Sequence, residues 1–100
     1  MLVIRGVLQE EFERQNRILQ LYERKVEGLP KGNIAFKKIN GRQYAYLQYR
    51  EGRKVNSQYI PNNDLPGLAA KVKERKKYEK MIEDIKKEIK FIQKALRIKI

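Results

Sequence analysis

The sequence predicts an α+β fold, a three-stranded antiparallel meander inserted between two long antiparallel helices. Three observations predict it. Apolar residues recur at helical spacing near both ends of the chain, and the middle holds short runs rich in Ile, Phe, Tyr and Val. Glycine-containing turn signals separate those runs. The chain of 100 residues fits one domain spanning 1–100.

The first helix is expected over residues 7–27. Leu8, Phe12, Leu19, Tyr22 and Val26 repeat at steps of three and four, with Gln15 filling the gap, so they share one face. Gly28 supplies a C-terminal stop, and Pro30 follows where a helix cannot continue.

Residues 31–60 hold the strands, expected at 33–39, 42–49 and 53–60. Asn40-Gly41 suits a two-residue type I′ turn, whose central residues both need positive φ. Arg50-Glu51-Gly52 suits a three-residue loop with glycine at the bulge position. Asp64 can cap the second helix and Pro66 fits its first turn. That helix is expected over 65–98, about 50 Å at 1.5 Å per residue. Ile82, Ile85, Ile89, Ile92 and Leu96 form its apolar stripe, extended backward through Tyr78, Val72 and Leu68.

Charge is the strongest compositional signal. Twenty-four Lys and Arg stand against twelve Asp and Glu, a net +12. Residues 1–30 are neutral, whereas 31–60 and 61–100 each carry +6. A field of this sign draws polyanions. Cysteine and histidine are absent, which excludes disulfides and any Cys/His zinc site. Threonine is absent and Ser57 is the sole serine, so the usual nucleophile–base pairs are missing. No enzymatic activity, no metal and no cofactor is expected. No apolar run spans a bilayer, and Arg5 interrupts the opening aliphatic run, so the expectation is a cytoplasmic protein with no membrane partner.

Alternation along the strands sorts the sheet into two faces. The expected loops put Phe36 opposite Ala45 and Ile34 opposite Leu47. They also put Val55 opposite Leu47 and Ser57 opposite Ala45. The inner face would then be Ile34, Phe36, Ala45, Leu47, Tyr49, Val55 and Tyr59. The outer face would carry Asn33, Lys37, Arg42, Tyr44, Tyr46, Gln48, Lys54, Asn56 and Gln58, with no acid. Amides and cations of this kind reach base edges and phosphates, and aromatic rings amid positive charge suit stacking. A plain solvated face is the competing reading.

On the second helix, Lys73, Lys77 and Lys80 lie roughly opposite the isoleucine stripe. They are candidates for phosphate contacts, set against a solvated face laced by Glu–Lys pairs such as Glu83–Lys87. Phe91 and Ile98 fall off the stripe, and residues 1–4 add aliphatic groups. Exposed together, these would suit weak homodimerisation.

The segment 29–60, LPKGNIAFKKINGRQYAYLQYREGRKVNSQYI, followed by a Lys/Glu-rich helix, resembles a family of small bacterial and phage-type proteins of unknown function. Their pattern is a Leu-Pro-Lys-Gly start, a Tyr-rich strand ending in Tyr-Arg-Glu-Gly and a Lys-Val-x-Ser-x-Tyr-Ile strand. The strand order followed by a helix is also similar to the arm-type DNA-binding domain of tyrosine integrases, whose three-stranded sheet lies in the major groove. That resemblance implies contacts from Tyr44, Tyr46 and Gln48, and from Lys54, Asn56 and Gln58. The long helices and the lack of a recombinase domain set this chain apart from those domains.

The functional expectation is nucleic-acid binding, duplex DNA before RNA, by an accessory or regulatory protein of mobile-element machinery. The rival is a protein–protein module, antitoxin- or inhibitor-like, whose helical hairpin embraces a protein partner.

Overall fold

The computed structural model describes residues 2–97. Its elements are α1 (Leu2–Glu27), β1 (Asn33–Ile39), β2 (Arg42–Glu51), β3 (Lys54–Ile60) and α2 (Leu65–Arg97). The strands form one antiparallel sheet in the order β1-β2-β3, placed in the chain between the two helices. This is the expected α+β architecture. Ile98 lies outside the described residues. The chain divides into two compact units: a sheet unit, Leu29–Lys76, and a helical unit joining α1 to α2 from Lys77 onward.

In the helical unit α1 starts at Leu2 rather than at residue 7. Val3, Ile4 and Gly6 disfavour a helix, but one interior glycine costs only about 1 kcal/mol. Extending an existing helix adds a hydrogen bond per residue. Leu8, Phe12, Leu19, Tyr22 and Val26 are half-buried, as the periodicity predicts. On α2, Ile89 and Ile92 are buried. Near its C-terminus α1 meets the start of this part of α2. The Tyr22 and Tyr78 rings lie 5.4 Å apart, and the Lys25 ammonium donates to the Tyr78 hydroxyl at 3.4 Å. The two helices therefore form an antiparallel hairpin.

In the sheet unit the first turn matches its sequence signal. Asn40 and Gly41 both have positive φ, 51° and 82°, as a type I′ turn requires. Ile34 pairs with Leu47 and Phe36 with Ala45, as expected.

The second turn does not match. Glu51 pairs with Lys54, leaving a two-residue turn, Gly52-Arg53. Gly52 has φ 59° and Arg53 is not among the positive-φ residues, which fits a II′ turn with glycine first. Val55 therefore faces Arg50 rather than Leu47, and Ser57 faces Gln48 rather than Ala45. Leu47 instead pairs with Gln58, and Ala45 with Ile60. The change of parity exchanges the two faces of β3.

The core of this unit sits between the sheet and the first turns of α2. Ala45, Leu47, Ile60 and Val72 are buried, with Ile34, Tyr49, Leu65 and Leu68 packed against them. Each large aliphatic side chain taken out of water there contributes about 1.5–3 kcal/mol. Asp64 is the N-cap of α2: its carbonyl accepts from the Leu68 amide at 3.0 Å, while its own amide donates to Pro61 at 3.0 Å.

Two bonds tie α2 to the start of the sheet unit. The Arg75 guanidinium donates to the Leu29 carbonyl at 2.6 Å, and the Lys76 ammonium donates to the Asn33 side-chain carbonyl. Between those anchors, Gly32 passes β2 so closely that an added Cβ would stand 2.3 Å from the Gln48 carbonyl oxygen.

Candidate nucleic-acid interface

Direct pairing partners share a face, so the register defines the outer surface. It gathers Lys37, Arg42, Tyr44, Tyr46 and Gln48, all expected there. Asn33, also expected there, pairs with Gln48 at the start of β1, but its side-chain carbonyl is taken by Lys76 of α2, so it is not part of the free outer surface. From β2 and β3 the surface also gathers Arg50, Val55, Ser57 and Tyr59. Lys54, Asn56 and Gln58 project from the opposite face, with Ala45, Leu47 and Tyr49. Gln58 lines an open cleft of about 620 Å³ with Pro30, Asn63, Leu68 and Lys71. The expectation that these three polar residues share the outer face is thus corrected. The physical reason is the two-residue turn at Gly52-Arg53.

The exchange alters the chemistry of the surface. Two amides leave it and a third tyrosine joins. Tyr59 lies opposite Tyr46, and their rings meet edge to face with centroids 5.9 Å apart. Tyr44, diagonal to Tyr59, lies 6.2 Å from it in a tilted arrangement. Such diagonal neighbours are within reach of aromatic side chains. The Lys37 ammonium sits 4.9 Å from the centre of the Tyr46 ring, a cation–π contact. Tyr44 and Tyr46 are half-buried, and Tyr59 is exposed.

Lys37, Arg42 and Arg50 give the face its positive charge, all three exposed. None of the residues that the register places here is acidic. Glu51, the single acid of 31–60, pairs with Lys54 on the other face.

The helix cations divide between the two units. Lys73 is on α2, whose neighbouring Leu68 and Val72 pack on the inner side of the sheet. The sheet itself separates those first turns of α2 from the outer face. Lys77 and Lys80 belong to the helical unit. Lys80 is bonded to Asp84 at 3.1 Å, and that hydrogen bond raises its pKa above the usual lysine value. Lys87 pairs with Glu83 at 3.3 Å, as the i,i+4 spacing predicts.

Sequence reasoning missed Arg50, Ser57 and Tyr59. The signal that would have found them is Ile60, whose burial at 3% requires it to face the helix. Placing Ile60 inward puts Tyr59 outward.

Among the described residues no cluster of Asp and Glu is placed to hold a metal ion. None of the described helices is long and apolar enough to cross a membrane. A family model for a domain of unknown function matches residues 8–70, from early α1 through the whole sheet into α2. The chain belongs to the DUF6788 family. The DUF6788 match contains the 29–60 segment that carries the tyrosine pattern. No curated protein and no solved structure matches the chain.

Proposed function

We propose that this DUF6788 protein binds nucleic acid through the outer face of its sheet, with duplex DNA as the first candidate. One observation carries the reading: three tyrosines sit among Lys37, Arg42 and Arg50 on a face without acid. Cations there would neutralise phosphates, which supplies affinity. Arg42, Gln48 and Ser57 offer donors and acceptors for base edges, which supplies discrimination. The resemblance to arm-type integrase domains would lay this sheet in the major groove; of the contacts it implies, Tyr44, Tyr46 and Gln48 share the outer face, whereas Lys54, Asn56 and Gln58 project from the other. An accessory role in mobile-element machinery accords with that resemblance, which is an analogy of fold alone.

Tyr59 favours a second reading, binding of unpaired bases. Stacking on aromatic rings is sequence-tolerant because every base has a π-face. Mobility shifts with duplex DNA, single-stranded DNA and RNA, each at two salt concentrations, separate the two. Duplex binding that falls on Arg42→Ala supports the first. Single-strand binding that falls on Tyr59→Ala supports the second. No shift with any probe at about 50 mM salt rejects both, since this electrostatic binding is strongest at low salt. It would turn attention to an acidic protein partner.

A further inference from the structure

Helix α1 carries a second stripe. Its first, from Leu8 to Val26, is half-buried in the hairpin. Val3, Val7, Glu10, Arg14, Arg17 and Leu21 recur at alternating steps of four and three. That is the heptad spacing of a helix seam. At 3.6 residues per turn this stripe lies more than a third of a turn from the first. All six residues are exposed, Val3 at 80%, Val7 at 59% and Leu21 at 50%.

The order of these residues is self-complementary. If two copies of α1 lie antiparallel with their seams facing, Val3 meets Leu21 of the second copy. Val7 meets the aliphatic stem of Arg17, and Glu10 meets Arg14. Every pair occurs twice, because a two-fold axis applies the same rule to both helices. The alternation of seam positions also suits antiparallel packing. A parallel arrangement would set Glu10 against Glu10 and Arg14 against Arg14.

Charge favours this face over others. The chain carries +12, yet α1 has five cations and five acids. Of the two described helices it is the one whose charges balance; on the seam itself Glu10 offsets Arg14, and Arg17 leaves +1 on each copy. Glu10 makes no ion pair among the described residues. Arg14 bonds Glu11 through Nε and Nη2 at 3.1 and 2.8 Å, and its side chain is still 61% exposed. Two of its five N–H groups are used, so a second carboxylate can be accommodated.

We infer that this face of α1 is a self-association surface, pairing two copies antiparallel with Glu10 of each against Arg14 of the other. Apolar pairs at the two ends supply contact area. The central charges set register and direction, as polar groups in a helix seam do. The inference concerns the helical unit and is independent of what the sheet binds.

The test uses the full chain, which has no cysteine of its own. Val3→Cys and Leu21→Cys variants are mixed in a glutathione redox buffer and the disulfide products weighed. Mixed Val3→Cys/Leu21→Cys dimers in excess over either self-linked product support the pairing. Val3→Cys chains linked chiefly to one another would overturn it. Sedimentation supplies the second reading. Glu10→Arg alone, and Arg14→Glu alone, should each weaken self-association by about tenfold, two exposed pairs turning repulsive in each. A mixture of the two variants, and the double variant Glu10→Arg/Arg14→Glu, should both regain it. Circular dichroism confirms that each variant remains helical. A protein that stays monomeric up to about 1 mM, where even weak pairing is populated, overturns the inference.

Discussion

Tyr46 stands directly across the β2–β3 ladder from Tyr59, their rings edge to face at 5.9 Å. Lys37 rests over the Tyr46 ring from the other neighbouring strand. A side chain on the solvent side of the sheet is thus held by both flanking strands.

That contact has a measurable energy. A double-mutant cycle of Tyr46→Ala and Tyr59→Ala should give a coupling of about 0.5–1.5 kcal/mol in thermal unfolding. Tyr46→Ala alone should lower stability by about 1 kcal/mol or somewhat more, since it also removes the lysine contact. Strictly additive effects would show that the rings do not support each other.

Binding should divide β3 by parity. Tyr59→Ala should weaken single-strand binding by about 1–3 kcal/mol, the usual range for a stacking ring. Asn56→Ala and Gln58→Ala, on the inner side, should leave mobility shifts unchanged. The reverse pattern would place the site in the cleft beside α2.

Salt should report how many phosphates are engaged. With about five contacts, the log–log slope of affinity against salt should be near −4 to −5 for duplex DNA. Lys37→Ala should make it less steep by about one. A flat salt dependence would contradict a phosphate-based interface.

The two glycines on either side of the strands should respond oppositely to alanine. Gly32 has φ 121°, and its Cβ would collide with the backbone carbonyl of Gln48. Gly32→Ala should cost about 1–3 kcal/mol or more. Gly67, in the first turn of α2, has nothing within 4 Å, and Gly67→Ala should stabilise by about 0.4–1 kcal/mol. Chemical denaturation measures both.

Core truncations should be the most damaging of the set. Leu47 and Ile60 are 8% and 3% exposed. Leu47→Ala and Ile60→Ala should each cost about 2–5 kcal/mol, read as a lower denaturation midpoint. Ile60→Ala as mild as a surface change would return β3 to the orientation in which Val55 and Tyr59 face the core.

The helices were legible because an apolar stripe runs through each of them, save for the first turn of α1, where Val3, Ile4 and Gly6 hid a start at Leu2. The first hairpin was legible because Asn40-Gly41 fits one turn type well. The second was not, because Gly52 serves two loops: last residue of a three-residue loop or first of a two-residue one. Alternation did not decide between them, since β3 has apolar residues on both parities. Val55 and Tyr59 turn outward at 62% and 49% exposure, while Ile60 turns in. The part of the candidate face built by β1 and β2 was therefore readable, and the β3 part depended on one turn.

That dependence reaches beyond a single chain. A slip of β3 by one residue against β2 would turn Ile60 out of the hydrophobic core and carry Tyr59 to the wrong side, and a slip of two would do neither. A loop of three or four residues can close the same Glu51–Lys54 pair. Among DUF6788 proteins the length of this loop should therefore vary freely, while the positions aligned with Ile60 and Tyr59 should keep an inward apolar and an outward residue, so the facing can be read from an alignment before any binding is measured.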